Sequence, residues 1–303
     1  MAKPKSKFQI SAEYAATRVF FSIMSALPLS ISAWVTRCLC TVWRLVDKRH
    51  RERVKTQVME RTGISEADAA KFVKKNYRHY GNLIAEFCLL GKCGLDEVKR
   101  RINMDGFDHF VKGLLQEGKG VVVVTGHLGN WEWANCVLTA MNEHGCAIAR
   151  PLDNPLLNEF VRSTRERNGC KILDKRGAIR GALRCLKDNG GLAVLIDQDA
   201  GYQGIMSPFL GLDAATISTP IELAIKAGCP IIVAAMIRDG RPGWFRMNYG
   251  REVLRAREGV DTERETKRIL DAANAGLGKL IMDTPDQWFW VHRRWKTRNG
   301  RTL

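Results

Sequence analysis

The 303-residue chain lacks the short motifs that mark most nucleotide- and metal-dependent enzymes. It contains neither a Walker-type glycine-rich loop nor a Gly-x-Gly-x-x-Gly sequence, so nucleotide use is not expected. Its six histidines are scattered, without a His-Glu-x-x-His motif or a Cys-His cluster that would predict a metal site. We therefore expect no cofactor and no metal.

Disulfide signals and domain boundaries are also missing. The nine cysteines are odd in number and include no Cys-x-x-Cys pair, which excludes a disulfide framework and favours free thiols in a reducing compartment. The sequence shows no internal repeat, no low-complexity tract and no linker. A hydrophobic content of 45% is that of a globular protein with a sizeable core.

Acidic residues are scarce relative to basic ones. Lys and Arg total 48 against 32 Asp and Glu, which leaves a net charge of +16. Such an excess indicates a negatively charged partner: nucleic acid, an anionic membrane, a phosphorylated lipid or an acidic carrier protein. The simpler alternative is a basic surface without a dedicated partner.

The amino-terminal segment holds the longest apolar run. Val19 to Val35 spans 17 uncharged residues, which is the lower limit for a membrane span, and Pro28 interrupts it. A cleavable signal peptide is the alternative, but no cleavage site followed by a polar region is evident. A basic stretch at 44–61 follows, as expected beside anionic headgroups. We predict a membrane-associated helical segment at 1–46, as one helix or a kinked hairpin, and a catalytic domain at 47–303.

Strands and helices alternate through the rest of the chain, which predicts an α/β fold: a single αβα-type domain with a mostly parallel central sheet. Four successive valines at 121–124 are typical of a strand that is buried on both faces. Ser65 with Asp68 resembles a capping box and predicts the start of a helix with a core-facing aromatic stripe. The other predicted strands are 102–104, 146–149, 171–173, 192–196, 231–237 and an edge strand at 245–249, and the predicted helices include 107–116, 131–141, 154–168, 179–187, 220–227 and 262–282.

An imidazole and a carboxylate follow the valine strand. Gly126 ends the strand, so His127 lies at the sheet edge where α/β proteins bind ligands. Asn130 is a suitable N-cap, which places Glu132 in the first turn of the next helix. A neutral imidazole can take a proton from a hydroxyl while a carboxylate fixes its tautomer. We predict His127 as general base and Glu132 as the residue that orients it; a loop histidine beside a capping glutamate is the simpler alternative.

Further polar groups follow other predicted strands and should meet at the same edge. Asp197, Gln198 and Asp199 come directly after the strand at 192–196, where Asp197 or Gln198 can orient a hydroxyl or support Arg150; a loop held by Asx turns is the alternative. Arg150 precedes a proline and can point into the cleft, to hold a phosphate or to stabilise an oxyanion. The simpler alternative is that Arg150 forms an ion pair with Asp153 on the protein surface.

Three tryptophans near the carboxyl terminus, Trp288, Trp290 and Trp295, alternate with the cations of residues 292–296. An indole has an apolar ring and a polar N–H, so it suits a membrane interface beside headgroup phosphates. The same mixture also suits stacking on nucleic-acid bases.

Four blocks in order resemble the bacterial lipid A biosynthesis (late) acyltransferases, a family that includes phosphatidylinositol mannoside acyltransferases. The first is Thr-Gly-His-Leu-Gly-Asn-Trp-Glu at 125–132, and the others are 150–155, 197–201 and 287–296. Together with the apolar amino-terminal segment they cover nearly the whole chain. The stretch at 57–63 departs from the family pattern, which usually has an Asn-Leu pair and a proline there.

The resemblance implies a membrane-associated O-acyltransferase with a glycerolipid-acyltransferase-like fold, at the cytoplasmic face of the bacterial inner membrane. It would transfer an acyl chain from an acyl carrier protein or coenzyme A to a hydroxyl of a glycolipid such as a lipid A precursor, in lipopolysaccharide biosynthesis. Its substrate-binding residues would be Asn130, Arg150, Asp197, Gln198 and Asp199. The resemblance also favours the lipid interpretation of the tryptophans, so no nucleic-acid partner is expected. Alternatives are a mannolipid, aminolipid or lysophospholipid acceptor, or a non-catalytic basic protein that binds membranes or nucleic acid.

Overall fold

A seven-stranded sheet forms the centre of the computed structural model, which describes residues 5–141, 145–174, 177–298 and 301–302. Its order is β1-β9-β8-β2-β5-β3-β4; β8 and β9 run antiparallel and the other neighbouring pairs are parallel. The predicted mostly parallel sheet is therefore confirmed. The strands of this sheet are β1 Ile102–Asn103, β2 Val121–Thr125, β3 Cys146–Ala149, β4 Lys171–Asp174, β5 Gly191–Leu195, β8 Ile231–Arg238 and β9 Phe245–Tyr249.

Two small hairpins, eleven α-helices and two short 3₁₀-helices, Gly201–Gln203 and Pro285–Gln287, complete the described elements. The hairpins pair β6 Ile205–Phe209 with β7 Leu212–Thr216, and β10 Thr297–Arg298 with β11 Arg301–Thr302. The β6–β7 hairpin was not predicted, and β9 lies between β8 and β1 rather than at the edge. The helices are α1 Lys7–Ala26, α2 Leu29–Val46, α3 Lys48–Thr62, α4 Glu66–Leu90, α5 Leu95–Arg100, α6 Phe107–Leu115, α7 Trp131–Met141, α8 Pro155–Glu166, α9 Ala178–Lys187, α10 Thr219–Ala227 and α11 Thr262–Asp283.

The valine strand β2 separates two apolar layers. Val122 and Val124 pack with the buried residues of α9, α10 and α11, whereas Val121 and Val123 pack with those of α5, α6 and α7. Helix α8 lies on the same side as α7, against β4. This is the αβα arrangement that the alternating sequence predicts, because a strand that is apolar on both faces needs helices on both.

The register between β2 and β5 determines where the chemistry is placed. Thr125 at the end of β2 pairs with Leu195 at the end of β5. His127 and Asp197 each lie two residues beyond that pair, so parallel pairing brings them to the same height at the carboxyl edge of the sheet.

The amino-terminal segment forms two helices that are broken at Pro28, as a kinked hairpin predicts. Helix α1 packs against α4 and α8, and α2 packs along α4. Both leave large apolar side chains in contact with solvent, namely Phe8, Val19, Ile23, Ile31, Trp34, Leu39, Val42, Leu45 and Val46. Among the helices that the structure describes, none has the length and apolarity that a bilayer span requires.

A close backbone crossing holds the loop after His127. Gly129 has φ +63°, and a Cβ there would lie 1.9 Å from the carbonyl oxygen of Met236 in β8. Gly63, at the end of α3, also has a positive φ (+70°), but nothing lies within 4 Å of its Cβ position. Both glycines adopt a left-handed backbone conformation, and they differ in the space around the Cβ position.

We predict that Gly129→Ala lowers the free energy of unfolding by about 3 kcal/mol or more, since it adds a backbone clash to the strain of a left-handed residue. Gly63→Ala should cost only about 1 kcal/mol, for the strain alone. Urea unfolding of both variants measures the difference. Equal losses would show that β8 does not constrain the loop.

Candidate active site

The loop between β2 and α7 is fixed by backbone bonds to two other elements. The Gly129 N–H donates to the carbonyl of Gln287 at 3.0 Å, and the Asn130 N–H donates to that of Met236 at 2.6 Å. Asn130 caps α7 as predicted, since its Oδ1 accepts from the N–H of Trp133 at 3.2 Å. Its Nδ2 donates to Glu86 at 2.8 Å, and the whole residue is buried. Asn130 therefore contributes to the site by holding the loop.

The imidazole of His127 is held by a buried carboxylate. Its Nδ1 lies 2.8 Å from Oδ1 of Asp197, whose Oδ2 accepts from the His127 backbone N–H at 2.6 Å and from the Trp288 indole N–H at 2.7 Å. Burial opposes ionisation of Asp197, but the charge and hydrogen bonds of His127 and the bond from Trp288 outweigh it and lower its pKa to about 2. An ionised Asp197 requires a proton on Nδ1 and leaves Nε2 as the proton acceptor.

The Nε2 of His127 faces an accessible space. The side chain of Gln198 is exposed and its Nε2 lies 3.3 Å from the Nε2 of His127. The rings of Trp131 and Phe289 flank the imidazole at centroid distances of 4.9 and 5.9 Å. The His127 side chain keeps 19% of its surface exposed. A hydroxyl that displaces the Gln198 amide can therefore reach Nε2 of His127.

Glu132 does not make the contact that the sequence analysis assigned to it. Arg165 of α8 donates to both of its carboxylate oxygens at 2.7 Å, and the Trp131 indole N–H donates to Oε1 at 3.1 Å. Burial alone would lower the pKa of Arg165, but the hydrogen bond and charge of Glu132 raise it. A helical first turn points Glu132 along α7 towards α8, whereas the parallel register presents Asp197 directly to His127. The carboxylate on the imidazole ring is therefore Asp197.

The remaining predicted residues lie at the same edge in different settings. Arg150 is exposed at the end of β3. The carboxylate of Asp199 accepts from the N–H and the hydroxyl of Thr297 at 3.1 and 3.0 Å. The Asp199 N–H donates to Nε2 of His292 at 3.0 Å. Asp199 thus anchors the loop to the carboxyl-terminal segment.

The three carboxyl-terminal tryptophans are buried, which corrects their assignment to a membrane interface. Trp288, Trp290 and Trp295 are 1%, 0% and 7% exposed. Their indole N–H groups donate inside the protein, to Asp197, Pro285 and Phe209 respectively. The alternation of tryptophans and cations in the sequence did not reveal that the tryptophans are buried, because water and a buried acceptor satisfy an indole N–H equally well.

The carboxyl-terminal segment braces each residue of the 197–199 loop. Trp288 bonds to Asp197, and His292 and Thr297 bond to Asp199 as described above. Arg294 is 0% exposed and donates to the carbonyl of Gln198 at 3.0 Å and to that of Ala215 at 2.6 Å. Burial lowers the pKa of Arg294 to about 10, despite the nearby Asp197 and Asp199. Sequence blocks 197–201 and 287–296 therefore form one unit around His127.

Comparison with known proteins identifies the family. A family model described as bacterial lipid A biosynthesis acyltransferase matches residues 1–297. The chain belongs to this family. The lipid A biosynthesis palmitoleoyltransferase of Escherichia coli (strain K12) is 26% identical over 236 residues, which are 77% of this chain and 74% of the relative. The lipid A biosynthesis lauroyltransferase of the same organism is 24% identical over 239 residues (78% and 75%), and a Haemophilus influenzae lipid A biosynthesis acyltransferase is 24% identical over 229 residues (75% and 70%).

A buried ion pair that was not predicted from the sequence lies behind the site of this acyltransferase. Glu86 of α4 is 0% exposed, and Arg238 at the end of β8 donates to both of its oxygens, at 2.5 and 2.6 Å. Arg238 also contacts Nδ1 of His79 at 2.8 Å, and burial together with Arg238 holds the pKa of His79 well below its usual value. The sequence contained a signal for this pair, because Glu86 falls within the apolar stripe of α4 and a buried glutamate requires a partner. Through Asn130, Glu86 connects α4 to the loop that bears His127.

His292 gives the acyltransferase a testable acid sensitivity. Burial is the main reason why its pKa falls from 6.5 to about 4, with the charges of Asp197 and Asp199 opposing and those of His127 and Arg294 assisting. Between pH 6.5 and pH 4, His292 is protonated in the unfolded chain but not in the folded protein. The free energy of unfolding therefore decreases as pH falls from about 6.5 to about 4.

We predict that His292→Gln flattens this part of the stability profile by on the order of 1 kcal/mol, because glutamine cannot titrate and can still accept the Asp199 N–H. Urea unfolding of both proteins between pH 7 and pH 4 measures it. His79 adds the same dependence to both and cancels in the difference. Parallel profiles would show that His292 is not held neutral.

Proposed function

We propose that this acyltransferase moves an acyl chain from a thioester, on an acyl carrier protein or coenzyme A, to a hydroxyl of a glycolipid acceptor of the lipid A precursor type. The relatives' names, lipid A biosynthesis palmitoleoyl- and lauroyltransferase, support the acceptor class. One observation carries the mechanism: His127 bonds to buried Asp197 through Nδ1 and keeps Nε2 towards accessible space.

In the proposed reaction, Nε2 of His127 accepts the proton of the acceptor hydroxyl as its oxygen attacks the thioester carbonyl. Asp197 stabilises the imidazolium that forms. The tetrahedral intermediate then collapses with cleavage of the carbon–sulfur bond, and the imidazolium returns the proton to the leaving thiolate. Transfer is direct, through a ternary complex, because the sequence offers no serine or cysteine in a nucleophile elbow.

The other polar residues of the edge have roles that follow from their exposure. Gln198 occupies the position at Nε2 that the acceptor hydroxyl would take, and its amide is free to bond that hydroxyl or the carbonyl oxygen. Arg150 is exposed and suits a phosphate of either substrate. The Glu132–Arg165 pair fixes the start of α7 against α8, which stabilises the wall that Trp131 forms beside His127.

Association with the cytoplasmic face of the inner membrane is part of the proposal, with residues 1–46 as the membrane-associated segment and 47–303 as the catalytic domain. Phe8, Trp34 and Val46 are 82%, 63% and 77% exposed, and apolar side chains gathered on two adjacent helices are typical of an interfacial anchor. Aromatic contacts lead from Trp43 of α2 through Tyr80 and Phe289 to His127. This packed row of rings connects the amino-terminal helices to the site.

We predict that Asp197→Asn lowers kcat by about 10²- to 10⁴-fold with little change in KM, because an asparagine amide facing Nδ1 favours the wrong tautomer. Steady-state acyl transfer from a carrier thioester to a lipid A precursor measures it. Glu132→Gln is the matched control: it should lose less and keep the wild-type pH profile. A loss confined to Glu132→Gln, with Asp197→Asn near wild type, would return the orienting role to Glu132.

We predict that the double variant Trp34→Glu, Val42→Glu, on the exposed face of α2, loses most of its binding to anionic vesicles, because each change places a charge where an apolar side chain meets the bilayer. Sedimentation with vesicles measures it. The control is Trp244→Glu, which replaces a tryptophan that is 37% exposed in the β8–β9 connection. This variant should sediment like the wild type. Full sedimentation of the α2 variant would place the anchor elsewhere.

A further inference from the structure

Helix α9 carries a line of cations that the proposed reaction does not use. Ala178, Ala182 and Leu186 face the core, as their i, i+4, i+8 spacing requires. Three cations, Arg180, Arg184 and Lys187, follow one another along the exposed side at i, i+4 and i+7, with Arg184 at 3.9 Å from Asp188. Ile179, at the first turn, is 54% exposed. The surface formed by Ile179, Arg180, Arg184 and Lys187 is called the α9 surface below.

The α9 surface begins at the edge that carries the active site. Strands β3 and β4 are parallel, with Ala149 paired to Asp174, so α9 starts beside the end of β3 and exposed Arg150. The order β2-β5-β3-β4 separates β4 from the His127 strand by three strand spacings, about 14 Å at ~4.8 Å each. A flexible arm can span that distance, so a partner bound here can deliver a group to His127.

The α9 surface also differs in chemistry from the proposed membrane anchor. Helices α1 and α2 expose many large apolar residues and pack on α4, and α1 also on α8, whereas α9 packs with α10 on the other face of the sheet. Arg180 and Arg184 are like charges at i, i+4, a spacing that destabilises a helix, whereas Arg184 and Lys187 lie in the last turn, where the helix dipole favours cations. A cationic line with one exposed aliphatic side chain suits an acidic protein surface, where charge steers the encounter and the apolar contact adds to binding.

We propose that the α9 surface, together with Arg150, is where an acidic carrier protein docks to present its thioester-linked acyl chain to His127. This rests on the proposed function, in that the donor is a carrier-bound thioester. The negative face of the carrier would lie along Arg180, Arg184 and Lys187, and its arm would cross the strand ends past Arg150.

The test compares two donors in the double variant Arg180→Glu, Arg184→Glu. With an acyl carrier protein thioester, kcat/KM of the variant should be about 10- to 100-fold lower than that of the wild type at low ionic strength. This difference between variant and wild type should become smaller as the salt concentration increases. With the same acyl chain on pantetheine, which has no carrier, kcat/KM should equal that of the wild type. Lys74→Glu, Lys75→Glu on α4 changes the net charge equally and should leave both donors unaffected.

The donor comparison separates the possible outcomes. Unchanged carrier kinetics in the α9 variant would overturn the proposal, and unchanged kinetics with weakened vesicle binding would assign the α9 surface to the membrane instead. An equal fall with both donors would also overturn it, since that is damage to the site. Failure of the wild type with both donors would refute the proposed function rather than the docking surface.

A photocrosslink provides a measurement that needs no charge reversal. A benzophenone amino acid at Ile179 should crosslink to the holo-carrier protein, and excess unlabelled carrier should suppress the product. The same group at Val260, which is 40% exposed before α11, is the control and should give none. Crosslinking from Val260 but not from Ile179 would contradict the assignment.

Discussion

The buried carboxylate of Asp197 is the interaction on which the rest of the site depends. It receives two contacts from His127 and one from Trp288. Those three hydrogen-bond donors let a fully enclosed acid remain ionised, and the ionised acid in turn determines which imidazole nitrogen carries the proton. Burial makes the arrangement demanding, because a buried charge that loses a partner is costly. The surrounding elements accordingly leave Asp197 little freedom to move.

Much of the structure serves to keep that contact in place. The parallel register of β2 and β5 sets the two residues level, and the close crossing at Gly129 holds the loop against β8. The carboxyl-terminal segment supports Asp197 from the opposite side through Trp288, and Glu86 supports the start of α7. Sequence blocks far apart in the chain therefore act as one unit.

Local signals in the sequence were enough for most of the helices and strands and for the place of His127 at the sheet edge, but not for the β6–β7 hairpin. The valine strand, the caps at Ser65 and Asn130 and the break at Pro28 each depend on neighbouring residues, and the structure has them where predicted. The partner of His127 depends instead on which strands are neighbours and in what register, and no local pattern encodes that.

The predictions that the tryptophans lie at a membrane interface and that Glu132 contacts His127 were wrong for a related reason. An indole is equally suited to a core and to a membrane interface, and a carboxylate near a histidine in sequence need not face it in space. Asp197 was predicted at the correct edge but with a different role, since strand ends locate a side chain without specifying its contact. The buried pair of Glu86 and Arg238 joins residues 152 positions apart, although the glutamate itself stood out within an apolar stripe.

The tautomer of His127 is the property that this account requires most directly. Nitrogen-15 NMR of histidine-labelled protein near neutral pH, with the resonance assigned by its loss in His127→Gln, reports which ring nitrogen carries the proton. We expect a proton on Nδ1 and an unprotonated Nε2, with the Nδ1 proton shifted downfield by its bond to Asp197. A proton on Nε2, with Nδ1 bare, would contradict it.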